Sequence, residues 1–229
     1  MLLQMMMQTS KLLCPLGLSY YASTHQSVNR MPSSVKSEAH MSFNFSDFSK
    51  YYISDLTSTL EKLSISTLEE IWSIIEDARN SERTIHLIGN GGSAGTPSHS
   101  AGDWSKELKL RTISHTDNAS SLTAWANDTD FDNIFVGQLS TFINSGDIVI
   151  GYSGSGNSKN VINGMLYAKE KGCHTIAITG NYNGMGGGEL AKIVDVALVV
   201  PSESMERIED TQLIVNHIIK EAIKSNNGL

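Results

Sequence analysis

Two short loops contain the residue types that could bind an anion. The first, Gly89 to Ser93, reads GNGGS, and the second, Ser153 to Ser158, reads SGSGNS; each directly follows a short apolar segment. Glycine lets a backbone approach a ligand closely, and a serine hydroxyl donates a hydrogen bond without adding charge. The pattern predicts that Ser153, Ser155 and Ser158 surround a phosphate group, with Ser93 reaching it from the first loop. The alternative is two ordinary glycine-rich turns.

Two other side chains could take part in acid–base chemistry. His99 and Asp103 are four residues apart, so they share one face of the helix expected after the first loop. Simpler explanations stay open: His99 could cap a surface turn, and Asp103 could be a solvated acid. His217 lies in an apolar stretch near the C-terminus and could be a core histidine. The remaining histidines of strands and loops, His86, His115 and His174, are interpreted as structural.

Apolar spacing and turn residues predict the elements that must position these side chains. Two helices come first, at 45–62 and 67–78, and Ser66 or Thr67 is expected to cap the second. Strands are then expected at 84–88, 111–115, 147–152, 174–179 and 193–200, and helices at 97–108, 120–126, 131–143, 161–171 and 206–224. Pro97 is placed near the first turn of its helix. The glycine-rich segment 180–188 is predicted to be a flexible loop.

The alternation of apolar strands and helices indicates an α/β fold, with a parallel sheet covered by helices on both faces. In such a sheet a ligand binds outside the carboxyl ends of the strands, where both loops lie. The amide groups at the start of the following helices would also attract an anion. A Walker-type phosphate loop is absent from the sequence, so cleavage of a nucleoside triphosphate is not expected.

Composition excludes several classes of function. The chain has 229 residues, enough for one domain with a sizeable core. Its net charge of −7 and pI near 5.4 argue against binding nucleic acid through phosphate neutralisation. No apolar run is long enough to predict a membrane span. The two cysteines, Cys14 and Cys173, cannot form a disulfide framework, so we expect a reducing, cytoplasmic location.

The first forty residues differ from the rest of the chain. Residues 1–40 contain three basic residues and one acidic residue, which leaves 14 basic and 23 acidic residues, a net charge of −9, in the remainder. They show no sustained helical or strand period. We interpret residues 1–40 as a disordered extension with Met41 as the functional start, and residues 41–229 as the domain.

Three motifs carry a resemblance to a known family. In order along the chain they are IGNGGS at 88–93, AND at 126–128 and SGSGNS at 153–158. Together they resemble the sugar isomerase (SIS) domain, and most closely its phosphoheptose isomerase branch, from about residue 44 to 225. The resemblance implies a three-layer α/β/α sandwich with a five-stranded parallel sheet, preceded by two helices. It also implies a homotetramer with active sites at subunit contacts, where serine loops hold phosphate.

The resemblance also assigns roles to individual residues. His99 matches a metal-binding histidine, Asp103 a catalytic glutamate, and His217 a second catalytic histidine. Glu209 matches a glutamine that also serves the metal, so these four residues would suit zinc. However, Glu209 and His217 lie about 12 Å apart along a helix axis, so one ion would stretch both side chains. Contacts with substrate or its phosphate are implied for Asn90, Gly91, Gly92, Ser93, Asn127, Asp128, Ser153, Ser155, Ser158 and Glu209.

Two of these positions depart from the family pattern. Asp103 replaces the usual glutamate, so its carboxylate is one methylene shorter. Glu209 replaces the usual glutamine and adds a negative charge, which would strengthen binding of a cation or raise the pKa of a neighbour. The two changes could compensate for each other, because the site keeps two carboxylates. Asp128 is expected to position sugar hydroxyls. Alternatively, it could cap the helix that is predicted to start at Phe131.

Two classes of function follow from these residues. The first is an isomerase that converts sedoheptulose 7-phosphate to D-glycero-heptose 7-phosphate through an enediol, for nucleotide-activated heptose and a surface polysaccharide. The second is a non-catalytic SIS module that binds a phosphosugar or a protein, as in a replication-initiator-associating relative. The retention of His99, His217 and both carboxylates favours the enzyme. The expected partners are a sugar phosphate and further copies of the chain, with no nucleic acid and no membrane.

Overall fold

Five parallel strands form the central sheet of a computed structural model that describes residues 43–229. The strands are β1 (Thr84–Gly89), β2 (Arg111–Ser114), β3 (Ile148–Ser153), β4 (His174–Gly180) and β5 (Val196–Val200). Their order across the sheet is β2-β1-β3-β4-β5. The chain leaves β1 in one direction to form β2 and then returns to the other side of β1 to form β3. The carboxyl ends of β1 and β3 therefore flank the point where the strand order reverses, which is the usual ligand position.

Helices cover both faces of this sheet. In chain order they are α1 (Phe45–Glu61), α2 (Ile65–Asn80), α3 (Gly92–Asp103), α4 (Ala119–Asp128), α5 (Ile134–Phe142), α6 (Lys159–Glu170), α7 (Leu190–Ile193) and α8 (Met205–Asn227). One apolar core lies between the sheet and α2, the end of α3 and α8, and includes Ile75, Trp104 and Ile219. The other joins the sheet to α5, α6 and α7, and includes Phe135 and Met165. These layers confirm the predicted α/β/α sandwich.

The two leading helices are held by caps and by one cationic contact. Asn44 caps α1, and Ser64, rather than Ser66 or Thr67, caps α2 by accepting from the Thr67 amide. The guanidinium of buried Arg207 lies 3.2 Å from the centre of the Tyr52 ring, and its Nε donates to Asp55 at 3.1 Å. This contact fixes α1 against the start of α8.

The third helix begins at Gly92, five residues before the predicted start. Pro97 therefore lies inside α3 rather than near its first turn. A proline ring normally collides with the carbonyl four residues earlier, here that of Ser93. That carbonyl lies against Gly89, in the space a Cβ would occupy. Glycine at position 89 therefore accommodates a proline that would otherwise mark the helix start.

The glycine-rich segment before the last strand supports the second loop. Gly184, Gly186, Gly187 and Gly188 all have positive φ angles. The Leu190 amide donates to the Gly156 carbonyl at 2.9 Å, and the Glu189 amide donates to the Asn157 side chain at 3.1 Å. These contacts hold the segment against the second loop. β5 begins at Val196 rather than at Ile193, because Ile193 is the last residue of α7.

Some expectations lie outside this description. The interpretation of residues 1–40 as a disordered extension, and of Met41 as the start, falls on residues that the structure does not describe. Within residues 43–229, no helix combines the length and the apolar character needed to cross a bilayer.

Candidate active site

The second loop, residues 153–158, presents three serines at the start of α6. The Ser153 and Ser158 hydroxyls lie 3.1 Å apart, and the Gly156 amide donates to Ser153 Oγ at 3.2 Å. The Thr179 hydroxyl donates to the Ser153 carbonyl at 2.7 Å, which fixes the loop to β4. Ser158 is the N-cap residue of α6. The loop therefore combines neutral hydroxyl donors with a helix N-terminus, a combination that suits a phosphate group.

The first loop is used differently from the prediction. Ser93 lies in the first turn of α3, and its hydroxyl donates to Gln212 Oε1 at 2.9 Å. Gln212 in turn donates to the Ile178 carbonyl at 3.1 Å, and Ser93 and Gln212 are both buried. The single proton of the Ser93 hydroxyl is thus directed at α8 rather than toward the second loop. Sequence reasoning missed Gln212, although a polar residue on the buried face of an apolar helix is the signal that could have found it.

Asn90 joins the first loop to the first turn of α6. Its side-chain amide exchanges two hydrogen bonds with that of Asn160, at 2.8 and 2.9 Å. Asn160 is buried near the start of α6 and was also missed from the sequence. The pair connects the ends of β1 and β3 across the point where the strand order reverses.

Glu209 lies against the first loop. A Cβ on Gly92 would overlap the Glu209 carboxylate, so the absence of a side chain at position 92 permits this close approach. Gly91, which precedes it, has a φ of +58°, a conformation that glycine adopts readily. Burial, followed by the carboxylates of Glu206 and Asp210, raises the pKa of Glu209. A carboxylate thus lies beside the N-terminus of α3, and the second loop is the better place for an anionic group.

His99, Asp103 and His217 come together at the far end of α3. Their ligand atoms all lie within 4.8 Å of one another. The two histidine Nε2 atoms are 3.1 Å apart, and Asp103 Oδ2 lies 3.4 Å from His99 Nε2 and 4.0 Å from His217 Nε2. The histidine side chains are about half exposed, at 51 and 43 %, so a substrate can reach them. The shared helix face predicted for His99 and Asp103 is present in α3.

Zinc fits this three-residue cluster in donor type and spacing. Two imidazole nitrogens and a carboxylate oxygen are a familiar set for a catalytic zinc ion that keeps a position open for water or substrate. Within residues 43–229, this is the cluster that could hold a metal, and Glu209 is not part of it. Glu209 and His217 lie about 12 Å apart along the axis of α8, so one ion does not reach both side chains.

Lys220 holds the carboxylate of this cluster. Its Nζ donates to Asp103 Oδ2 at 2.8 Å and lies 3.7 Å from Glu107 Oε1. The hydrogen bond from Lys220, followed by the positive charge of that ammonium group, lowers the pKa of Asp103. Asp103 is therefore ionised at neutral pH. Sequence reasoning missed Lys220, since its contact spans 117 residues of the chain.

A buried polar clasp sets the distance between α3 and α8. The Asn216 side chain donates to Ser100 Oγ at 2.6 Å and accepts from the Tyr152 hydroxyl at 3.0 Å. Trp104 Nε1 donates to the Asn216 carbonyl at 3.4 Å. Ser100 directly follows His99 in the sequence, and Asn216 directly precedes His217. The clasp therefore holds the two histidines at their observed spacing.

A π-helical turn follows Asp103 directly. It spans Trp104–Leu108 and ends at Lys109, whose φ is +58°. Such turns are rare and occur often at functional sites. Here the turn buries Trp104 against α8 and places Glu107 beside Lys220 and Lys224.

Asn127 and Asp128 lie on an exposed part of the structure. Asn127 Nδ2 donates to Asp128 Oδ1 at 2.8 Å in the last turn of α4. Asp128, with Ala124 and Trp125, lines a cavity of about 140 Å³. The alternative that Asp128 caps the next helix is wrong, because Asp130 holds that position before the short 3₁₀ turn at 131–133.

His86 and His115 form a separate buried network on the other side of the sheet. His86 Nδ1 lies 3.0 Å from His115 Nε2, and His86 Nε2 lies 3.4 Å from Asp147 Oδ2. Burial lowers the pKa of His86, and burial together with His86 lowers the pKa of His115 to about 4. Both histidines are therefore neutral near pH 7 and serve as hydrogen-bonding core residues. His174, at the start of β4, is exposed.

The fold and the site define a class of protein. It is an α/β protein with a serine-rich loop where the strand order reverses and a histidine–carboxylate cluster on α3 and α8. The family model for the SIS domain matches residues 50–180. The phosphoheptose isomerase of Sulfurimonas denitrificans is 39 % identical over 165 residues, which cover 70 % of this chain and 83 % of that protein. A probable phosphoheptose isomerase of Thermoplasma volcanium is 36 % identical over 187 residues, covering 76 % of this chain and 93 % of that protein.

A solved structure agrees with these sequence matches. The phosphoheptose isomerase of Neisseria gonorrhoeae superposes with a TM-score of 0.74 at 29 % identity, covering 80 % of this chain and 100 % of that one. This chain belongs to the SIS domain family, in its phosphoheptose isomerase branch.

Proposed function

We propose that this protein isomerises sedoheptulose 7-phosphate to D-glycero-heptose 7-phosphate through an enediol, in the supply of nucleotide-activated heptose. The observation that carries the proposal is the cluster of His99 and Asp103 on α3 with His217 on α8. The phosphate would bind at the second loop, after β3, and the reacting carbons would lie at this cluster, between α3 and α8.

Neutral donors would hold the phosphate. The hydroxyls of Ser153, Ser155 and Ser158, with the amides at the start of α6, supply hydrogen bonds from neutral groups. This arrangement explains how a chain of net charge −7 could bind an anionic substrate. Asn127 and Asp128 are proposed to contact sugar hydroxyls, and Glu209 to contact the substrate beside Gly92.

Asp103 and His217 would move the protons of the reaction. Asp103 is ionised, so it can accept the proton from C1 of the ketose, and the substrate becomes the enediol. His217 would carry protons between the oxygens at C1 and C2, and the protonated Asp103 would then give a proton to C2, which yields the aldose and restores the carboxylate. Lys220 holds Asp103 Oδ2, so we assign Oδ1 to the proton on carbon. A hydrogen bond across the 3.1 Å between His99 Nε2 and His217 Nε2 has one imidazole as donor and the other as acceptor.

Zinc, if bound, would be held by His99, Asp103 and His217 and would polarise the substrate carbonyl. The isomerisation itself transfers no net electrons, so no redox cofactor is needed. The structure supports this choice of ligands through the donor set and its spacing.

Assembly with further copies of the chain completes the proposal. Phe45, Tyr51 and Ile53 of α1 are large apolar side chains that are 73, 63 and 65 % exposed. We propose that a second copy of the chain covers some of these side chains. We propose a cytoplasmic homotetramer with active sites at its subunit contacts, in which residues 1–40 are dispensable.

The test is the activity of purified protein with two variants of the cluster. We expect turnover of sedoheptulose 7-phosphate, and we expect Asp103→Asn and His217→Ala to abolish it. His174→Ala changes an exposed histidine outside the cluster and serves as the control, with unchanged rate. Binding of the sugar phosphate without turnover, with or without added zinc, would instead indicate the non-catalytic binding module.

A further inference from the structure

We propose that Lys220 is a positioning residue for Asp103 and that its ammonium group competes with a divalent cation for the same carboxylate oxygen. The inference rests on the proposed function and adds a residue to its site. Lys220 lies three residues after His217 on α8, so the two side chains project from the same side of that helix. The cluster and its cationic neighbour therefore belong to one surface between α3 and α8.

The ammonium group is held by two carboxylates. Lys220 Nζ lies 2.8 Å from Asp103 Oδ2 and 3.7 Å from Glu107 Oε1, and the side chain is only 12 % exposed. Asp103 and Glu107 are four residues apart across the start of the π-helical turn. A shielded ion pair with two partners holds its geometry better than an exposed pair, because solvent screens it less.

The bound oxygen is the one that faces the histidines. Asp103 Oδ2 lies 3.4 Å from His99 Nε2 and 4.0 Å from His217 Nε2. A metal ion ligated by both histidines and this carboxylate would therefore share Oδ2 with the ammonium group. Two cations at one oxygen repel each other, so Lys220 weakens metal binding while it fixes the orientation of the short aspartate side chain.

Lys224 provides a matched control on the next turn of α8. It pairs with Glu107 Oε2 at 3.0 Å and with Glu221 at 3.8 Å. Lys224→Met removes a charge of the same sign from the same helix face. Lys220→Met does the same at the carboxylate of the cluster and retains most of the apolar stem.

The two variants should separate in two measurements. With Lys220→Met we expect kcat to fall about tenfold or more with KM changed less than about twofold, because the base loses its orientation and not its substrate. We expect zinc affinity, measured by competition with a chromophoric chelator, to rise about tenfold, because one nearby positive charge is removed. Lys220→Arg should restore the weaker zinc affinity, and Lys224→Met should change neither quantity.

The outcomes distinguish this inference from the proposed function. Wild-type kcat and zinc affinity in Lys220→Met would overturn the inference, as would equal effects of Lys224→Met. If Lys220→Met fails to fold by circular dichroism, Lys220→Gln replaces it in both measurements. If the wild-type protein does not turn over the sugar phosphate, the proposed function fails, but zinc affinity still decides the role of Lys220.

Discussion

Replacing Asn216 by alanine should loosen the clasp between α3 and α8. The Asn216 side chain is 1 % exposed and bonds to Ser100 and to Tyr152, whose hydroxyl is also buried. Leaving a buried polar group without its partner costs about 1–3 kcal/mol. With two such groups and a small cavity, we expect Asn216→Ala to lower the free energy of unfolding by about 2–4 kcal/mol.

The same variant should also lower activity. A displacement of about 1 Å at catalytic groups can reduce the rate about a hundredfold, and Asn216 directly precedes His217. We therefore expect kcat to fall about tenfold to a hundredfold. A merely local loss of stability would leave kcat unchanged at temperatures where the variant stays folded.

A double-mutant cycle tests the reasoning. Tyr152→Phe removes the hydroxyl that Asn216→Ala leaves unpaired, so the double variant should be more stable than additivity predicts, by about 1 kcal/mol. Urea unfolding followed by circular dichroism at one fixed protein concentration measures all four proteins. Additive effects, or an Asn216→Ala value within about 0.5 kcal/mol of wild type, would refute the clasp.

Three further predictions concern the core, the second loop and the N-terminus. Burial lowers the pKa of His115 to about 4, so the native state resists a proton that the unfolded chain accepts. The free energy of unfolding should therefore be full above about pH 6.5 and fall as the pH drops toward 4. His115→Gln should flatten this pH dependence, as measured by the midpoints of urea unfolding. Gly156→Ala places a Cβ against the Gly187 backbone at a φ of +67° and should raise KM. Gly102→Ala, where an added Cβ meets nothing within 4 Å outside its own stretch of helix, is the control and should leave the kinetics unchanged. Equal KM values for the wild type and Gly156→Ala would contradict the role of the loop. Deletion of residues 1–40 should preserve activity and assembly in size-exclusion chromatography, and loss of the folded oligomer would contradict it.

Much of the fold could be predicted because its signals are local. Continuous apolar strands such as 148–152 indicate a sheet that is buried on both faces. The helices between consecutive strands indicate that the strands run parallel. The start of α3 was misplaced because Pro97 normally marks a helix start, whereas here it lies inside the helix, with the Ser93 carbonyl against Gly89. The start of β5 was misplaced because Ile193 continues an apolar stretch whose first residues form α7.

The site could be predicted only in part, for a related reason. The spacing of His99 and Asp103 is readable from one helix, and the resemblance adds His217. The partners of these residues come from distant parts of the chain: Ser93 meets Gln212 across 119 residues, and Asp103 meets Lys220 across 117. A single sequence carries no local sign of such pairs, so the use of the Ser93 hydroxyl and the position of Glu209 became visible only in three dimensions.

The most direct test of isomerisation with Asp103 as the base is conversion of sedoheptulose 7-phosphate in deuterated water, followed by NMR. If Asp103 removes the C1 proton and the enediol is protonated at C2, new anomeric signals should appear, with deuterium at C2 of the aldose because the acidic proton on Asp103 exchanges with solvent. Asp103→Asn should show neither. No new anomeric signal from the wild-type protein, with or without zinc, or unchanged conversion by Asp103→Asn, would contradict the account.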